Sequence, residues 1–254
     1  MSKSLWMGIG LAMALSGCAT VQVQHDRAAA IKTVALVGFT GVTDLKDKNA
    51  PKNSVGNIMN AVHDSEDVFG GELDKRRIAQ AETLYQSLAQ HVTAATTWQF
   101  ADRGALKSDA AYQALLKDNP NTDSMTVMAL QRLPDVLRAE VAERMSPEER
   151  EELRKTLGVD AIAVAKVRYV IGDKSGFTIG GMGHTTIFPK AIVEFTVLDG
   201  GEKPVWRDRW CEGSPTKVGL ENIMGAKQND NETEVLTAAA DSAFGQLVDR
   251  YKGH

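Results

Sequence analysis

Two cysteines, no apolar run long enough to cross a bilayer and no catalytic spacing are the first features of this chain. A transmembrane helix needs ~20 consecutive apolar residues, whereas Leu5 to Leu15 is a run of eleven. The net charge of −4 carries no basic excess, which argues against nucleic acid as a partner. None of the five histidines falls in His-x-x-x-His or His-Glu-x-x-His, and Gly-x-Ser-x-Gly is absent. The zinc-helix and nucleophile-elbow signatures therefore have no support. Gly180-Gly-Met-Gly183 is followed by no Lys-Ser/Thr pair and opens no helical pattern, so it reads as a loop and not a phosphate cradle. His63-Asp-Ser-Glu-Asp67 is the densest group of ligand types. A single run of this kind reads as a solvated acidic patch, because metal sites draw ligands from several elements. The sequence thus points to no enzyme, cofactor or metal.

What is present begins at the N-terminus. Lys3, the apolar run 5–15 and then small residues follow the signal-peptide pattern. The run ends in Leu15-Ser16-Gly17-Cys18 instead of an Ala-x-Ala site. That stretch resembles the lipobox of bacterial lipoproteins. The resemblance implies diacylglycerol on the Cys18 thiol, cleavage just before it and a palmitate-type acyl chain on the new amino group. The alternative is a buried N-terminal helix that contains a cysteine. Each buried methylene contributes ~0.8 kcal/mol, and stable anchoring takes more than one chain; a triacylated Cys18 meets that need. Ala19 follows the cysteine, where Asp favours inner-membrane retention in the proteins it resembles. The implied location is therefore the outer membrane, facing the periplasm. Removing residues 1–17 leaves 237 residues, with 28 basic and 33 acidic side chains. Cys211 is then the one remaining thiol, so no intramolecular disulfide is expected. Burial suits it, since free cysteine is among the most buried residue types.

Residues 18–30 read as a lipidated, polar, Ala-rich tether, and 31–254 as a single domain. Lys32 to Phe39 is a near-continuous apolar run of strand length, the signature of a buried central strand. Residues 41–71 have no period and read as a long loop. Ile78, Ala81, Tyr85, Leu88, Val92 and Ala95 make one apolar stripe, which predicts a helix over 72–96. Trp98 to Ala101 reads as a short strand, and Ser108 as the start of a helix within a helical insertion, 105–157. Pro134 and Pro147 suit first helical positions. Ser146 and Glu149 have capping-box spacing, and Leu157-Gly158 suits a left-handed cap.

The sheet resumes at 160–171, with Ala161, Ala163, Ala165, Val167 and Tyr169 on one face. Its other face turns charged at Lys166 and Arg168. Residues 172–188 read as a glycine-rich loop or hairpin tip. Lys190–Leu198 and Lys203–Cys211 alternate as strands around the turn Asp199-Gly-Gly201. Residues 218–229 read as loop. Asn231 and Glu234 open a last helix with the stripe Leu236, Ala239, Ala243, Leu247 and Tyr251. The fold class is α/β: one sandwich with a mixed sheet, an N-terminal buried strand, a C-terminal antiparallel meander and helices packed on the sheet.

Thr33–Phe39 after the lipidated segment, the amphipathic helix 72–96, Leu157–Val164 and the hairpin 190–211 together resemble a known α/β domain. It is shared by the curli secretion channel CsgG, the penicillin-binding-protein activator LpoB and the N-terminal domain of TolB. The resemblance implies this fold in a cell-envelope protein and carries over no site residue. The 41–71 loop and the 105–157 insertion depart from it.

Trp206, Asp208 and Trp210 share one face of an ideal strand, with Arg207 and Arg209 on the other. Core packing is the plain reading of the tryptophans. An open face would instead offer two aromatics around an acid, and Lys166, Arg168, Arg207 and Arg209 would form a basic patch. The expected function is non-enzymatic binding of another envelope protein, with oligomerisation left open. The alternatives are a subunit of an oligomeric secretion pore, built on Phe177–Ile187, and a periplasmic hydrolase using His63 or His184. Replacing Cys18→Ser should move the protein out of the membrane fraction and leave its N-terminus unprocessed. An unchanged membrane fraction and an unacylated wild-type mass would contradict the lipobox reading.

Overall fold

The computed structural model describes residues 21–46, 72–119, 130–131, 133–179, 182–223, 226–227 and 231–254. Cys18, the signal segment, the His63 cluster and Gly180-Gly181 lie outside these residues. In chain order the elements are strand β1 (Val21–Val23), helix α1 (His25–Ala30), β2 (Thr33–Lys46), α2 (Glu72–Ala95) and β3 (Gln99–Phe100). Then come α3 (Arg103–Ser108), α4 (Ala110–Asp118), β4 (Leu130–Gln131), α5 (Ala139–Ala142) and α6 (Pro147–Thr156). The chain closes with β5 (Ala161–Ile179), β6 (Met182–Leu198), β7 (Trp206–Glu212), β8 (Leu220–Ile223), β9 (Ala226–Lys227) and α7 (Glu232–Lys252).

The sheet is mixed and open, in the order β1-β7-β6-β5-β2-β3. β2 pairs in parallel with β5 and β3, while β5-β6-β7-β1 is antiparallel. Helices α2 and α7 pack together on one face, and α5 and α6 lie on the other, over β2 and β5. This is the expected α/β sandwich. Among the described residues no helix is long and apolar enough to cross a membrane.

β2 has no side free for water, which is why its sequence is apolar without alternation. Val34, Ala35, Leu36, Val37 and Phe39 are all buried. The α2 stripe buries Ala81, Leu84, Tyr85, Leu88 and Val92 against it, and α7 contributes Leu236, Ala239, Ala243, Phe244 and Leu247. The β2–β5 register slips between Leu36 and Gly38. At this bulge Tyr85 Oη donates to the Leu36 carbonyl (3.2 Å) and Tyr112 Oη to that of Val37 (2.6 Å). The Tyr112 oxygen also accepts from Leu137 N–H (2.8 Å), and Phe39 N–H donates to the Leu137 carbonyl (2.9 Å). Burial pushes both phenols far up from their ordinary values, so both stay protonated donors. The close approach here depends on Gly38, where an added Cβ would lie 2.5 Å from Ala142 Cβ. The other end of β2 is fixed by Asp160, whose carboxylate accepts from the N–H groups of Lys32 (2.8 Å) and Thr33 (2.9 Å). Those two bonds hold the carboxyl below its usual range.

Several boundaries differ from expectation for identifiable reasons. Residues 21–30 are not a tether. Val21, Ala28 and Ile31 are buried, Gln24 N–H bonds the Val205 carbonyl (2.8 Å), and Arg27 pairs with Asp199. The alternation of Val21 and Val23 with Gln22 and Gln24 is the strand signal that their polar setting obscured. β2 continues through residues 41–46, so the first part of the expected 41–71 loop is paired with β5 and β4. Asp109 caps α4 by accepting from Tyr112 N–H, and α3 precedes it under an Asp102 cap, so Ser108 starts no helix. Pro134 lies in a turn. Asn231 stands at the N-cap of α7 without a side-chain bond. Of the two readings of 172–188, the hairpin holds and the loop does not: β5 and β6 stay paired out to Ile179 and Met182, past a register shift between Ile171 and Asp173. By contrast, Ser146 and Glu149 form the full capping box with Pro147 at the first turn, and Gly158 takes φ +64° after α6.

Two glycines separate packing from propensity. Gly38→Ala should destabilise the fold by ~1–3 kcal/mol through overpacking against Ala142. Gly245→Ala, which meets nothing within 4 Å on α7, should stabilise it by about 0.5–1 kcal/mol. Urea unfolding of both variants tests this. Equal effects would mean that helix α5 does not pack against β2 as described.

Candidate functional site

The β6–β7 half of the sheet face opposite α2 and α7 carries charge in place of a helix. β5 alternates, so Ala163, Ala165 and Val167 point to the core while Lys166 and Arg168 point outward. β6 sends Lys190, Glu194 and Thr196 to the same outer face. The side chains pair across strands. Arg168 meets Glu194 at 2.5 Å, Lys190 pairs with Glu212, and Lys166 reaches Glu140 on α5. Burial works against the charge on Glu140, but the Lys166 ammonium, a backbone N–H and Thr40 hold its carboxyl below the usual range. Trp210 lies under the Arg168 guanidinium, 5.2 Å from ring centroid to Cζ, and its Nε1–H donates to Glu212 (3.2 Å).

Trp210 reaches this face because β7 is bulged. Phe195 pairs with Asp208 and Val193 with Cys211, so Arg209 and Trp210 both oppose Glu194. One extra residue in one strand shifts the alternation of everything after it. Trp206 and Asp208 therefore stay on the core side, each with 0% exposure, while Trp210 is 39% exposed. Trp206 stacks edge-on against Phe195 and lies 4.5 Å from the Tyr251 ring, centroid to centroid. Asp208 Oδ1 accepts from Trp210 N–H (3.1 Å), and its Oδ2 forms an ion pair with Arg250 Nε (3.2 Å). Arg250, in the last turn of α7, also donates to the Trp210 carbonyl (2.7 Å). The bulge is thus clamped from below. Burial raises the Asp208 carboxyl above its ordinary value, against the opposing Trp210 N–H and Arg250 charge.

Beside this lattice lies a cleft of ≈ 340 Å³ lined by Glu143, Arg150, Val164, Glu194, Arg207 and Arg209. A larger one of ≈ 750 Å³ adjoins it, sharing Arg150, Leu198 and Arg207 and walled by β1 from Val21 to Val23. Burial, then the neighbouring charges of Arg209 and Arg150, push Arg207 down from its ordinary value, with Glu143 opposing. Burial and the charge of Glu194 push the Glu143 carboxyl up.

Of the five residues picked out in the sequence, Lys166, Arg168 and Trp210 converge on the outer face. Trp206 and Asp208 do not, which corrects the expectation that they share a surface with Trp210. Arg150 was missed; it lies on the polar side of α6, where sequence alone gives no reason to single out one charge. Cys211 is buried, 3.5 Å from the Ala243 carbonyl, and burial pushes its thiol up to about 12. His184 is an exposed β6 residue opposite Phe177 and Ile223. Among the described residues no three His, Cys, Asp or Glu side chains converge as metal ligands.

No family model matches the chain, and no curated protein matches it in sequence. Among solved structures it is similar to the hypothetical protein CT253 from Chlamydia trachomatis, at 10% identity and a TM-score of 0.30, covering 88% of this chain and 96% of that one. It is also similar to the lipoprotein GNA1162 from Neisseria meningitidis, at 12% identity and a TM-score of 0.23, covering 88% of this chain and 99% of that one. At TM-scores of this size the likeness carries no argument about function.

The Asp208 clamp has a pH signature. A carboxyl whose folded pKa exceeds its unfolded value of about 3.9 contributes stability below that value and loses it as pH rises. Compared with Asp208→Asn, the wild type should therefore hold its largest relative advantage near pH 4 and a smaller one at pH 7. Urea unfolding across that range measures it. A difference that grows toward neutrality would mean that the Arg250 pair outweighs burial.

Proposed function

We propose that this is a non-enzymatic lipoprotein of the cell envelope, held at the periplasmic face of the outer membrane by an acylated Cys18. It works by binding another envelope protein through the outer face of β5, β6 and β7. The observation that carries this reading is Trp210, which is half-exposed beneath Arg168 and braced by the bulge and Arg250. Tryptophan and arginine are the residue types most enriched at energetic centres of interfaces. A rigid, pre-positioned pair loses little conformational entropy on docking. The surrounding Lys190–Glu212 and Lys166–Glu140 pairs offer both signs of charge, which suits register and partner choice more than raw affinity.

A second reading, a subunit of an envelope secretion pore, is favoured by one observation. β5 and β6 extend as a paired arm through Asp173–Ile179 and Met182–Phe188. Against it, a membrane strand needs ~9–11 residues, and this arm is shorter and interrupted by glycine.

Crosslinking in intact cells followed by purification should recover a defined envelope protein with the wild type. Trp210→Ala should weaken that capture by about tenfold or more, as hot-spot truncations do, with the fold unchanged by circular dichroism. Capture that survives Trp210→Ala and Arg168→Ala undiminished would rule out this face. A ring-like oligomer in detergent would favour the pore.

A further inference from the structure

Three arginines from two elements, Arg150 on α6 and Arg207 and Arg209 on β7, line one cleft. None of them forms an ion pair with another described residue, although acids are nearby. Of the three acids that line the cleft, Glu194 pairs with Arg168 and Asp208 with Arg250, while Glu143 offsets part of the charge of Arg207, which leaves the arginines in excess. Cations gathered this closely repel one another, and a bound anion relieves the repulsion.

The position of this cleft in the chain identifies the anion. The adjoining larger cleft shares Arg150 and Arg207 and is walled by Val21, Gln22 and Val23, with Lys203 on its rim. In the β1–β7 register Val21 stands opposite Asp208 and Gln22 opposite Arg207. Cys18 is three residues before Val21, so its Cα lies within about 11 Å of that end of β1 even if the chain is fully extended. An acylated Cys18 sits at the headgroup level of the membrane. The arginine cleft is then lined by the strand that leads directly to that surface. Folding of residues 21–30 onto the sheet is what enforces this; a free tether would not.

We propose that Arg150, Arg207 and Arg209 bind the phosphodiester of an anionic phospholipid headgroup and so set the orientation of the domain on its membrane. The proposal rests on the lipidation of Cys18. Guanidinium forks suit phosphate oxygens geometrically as well as electrostatically, and basic residues beside an anchor strengthen attachment to anionic lipid. Trp210, displaced onto the same side by the bulge, provides a natural reporter. The other tryptophans of the mature chain, Trp98 and Trp206, are buried.

The acylated full-length protein, purified from membranes, would be reconstituted into vesicles of phosphatidylcholine alone or with roughly a third phosphatidylglycerol. Quenching of tryptophan emission by brominated phospholipid is then measured in each. Quenching should be greater with phosphatidylglycerol, should fall as salt is raised, and in R150Q/R207Q/R209Q should drop to the value in neutral vesicles. R209K, which keeps the charge, should retain most of the gain. Equal quenching in both vesicle types, or a phosphatidylglycerol effect that survives the triple substitution, would overturn the proposal. Arginine-dependent binding of a polyglutamate peptide without any phosphatidylglycerol effect would overturn it too, in favour of an acidic protein segment. The intact mass of the purified protein reports acylation separately, so a missing anchor and a missing headgroup contact are told apart. Near-ultraviolet circular dichroism confirms that each variant is folded.

Discussion

A central strand that breaks its own ladder must find new partners for the groups it frees. Here the break lies between Leu36 and Gly38, in a strand buried from Val34 to Thr40. A buried carbonyl without a partner costs ~1–3 kcal/mol. Tyr85 from α2 and Tyr112 from α4 remove that cost with their phenols, and Leu137 closes the set by pairing with both Tyr112 and Phe39. Three separate regions of the chain are thereby fastened to one bulge. The helices on the α5 side can approach because Gly38 has no side chain. The β6–β7 part of that face is left without a helix over it among the described elements.

The periodic parts of this arrangement were legible in the sequence. β2 announced itself by an unbroken apolar run, α2 and α7 by their stripes, and α6 by Ser146, Pro147, Glu149 and Gly158 at fixed spacings. What escaped reading were irregularities with no local signature. The bulge that turns Trp210 away from Trp206 depends on how β7 meets β6, and no property of residues 206–211 alone predicts it. Alternation was therefore a sound guide up to Asp208 and a misleading one after it. The docking of β1 and α1 was hidden for a different reason. Short elements gain their stability from tertiary contacts, here Trp98 Nε1–H to the Ala28 carbonyl and Arg27 to Asp199, and those partners are distant in sequence. On the candidate surface Lys166, Arg168, Arg207 and Arg209 followed from strand periodicity, whereas Arg150 joins them only through the packing of α6.

Folding the chain so soon after residue 18 limits what a protein anchored there can reach. A disordered linker lets a domain search a volume that grows with its length; the two residues between Cys18 and Val21 are too few to allow much. On the proposed function, a partner would have to come to the membrane surface, or already reside in it, and would meet the β5–β7 face in a narrow range of attitudes. Restricting orientation raises the effective concentration of the correct encounter.

The depth of Cys211 has a separate consequence. With its thiol raised to about 12, the thiolate fraction near neutral pH is on the order of one in 10⁵, and it is the thiolate that attacks disulfides. By holding Cys211 against Ala243 beneath the clamped bulge, the folded domain takes this sulfur out of exchange chemistry.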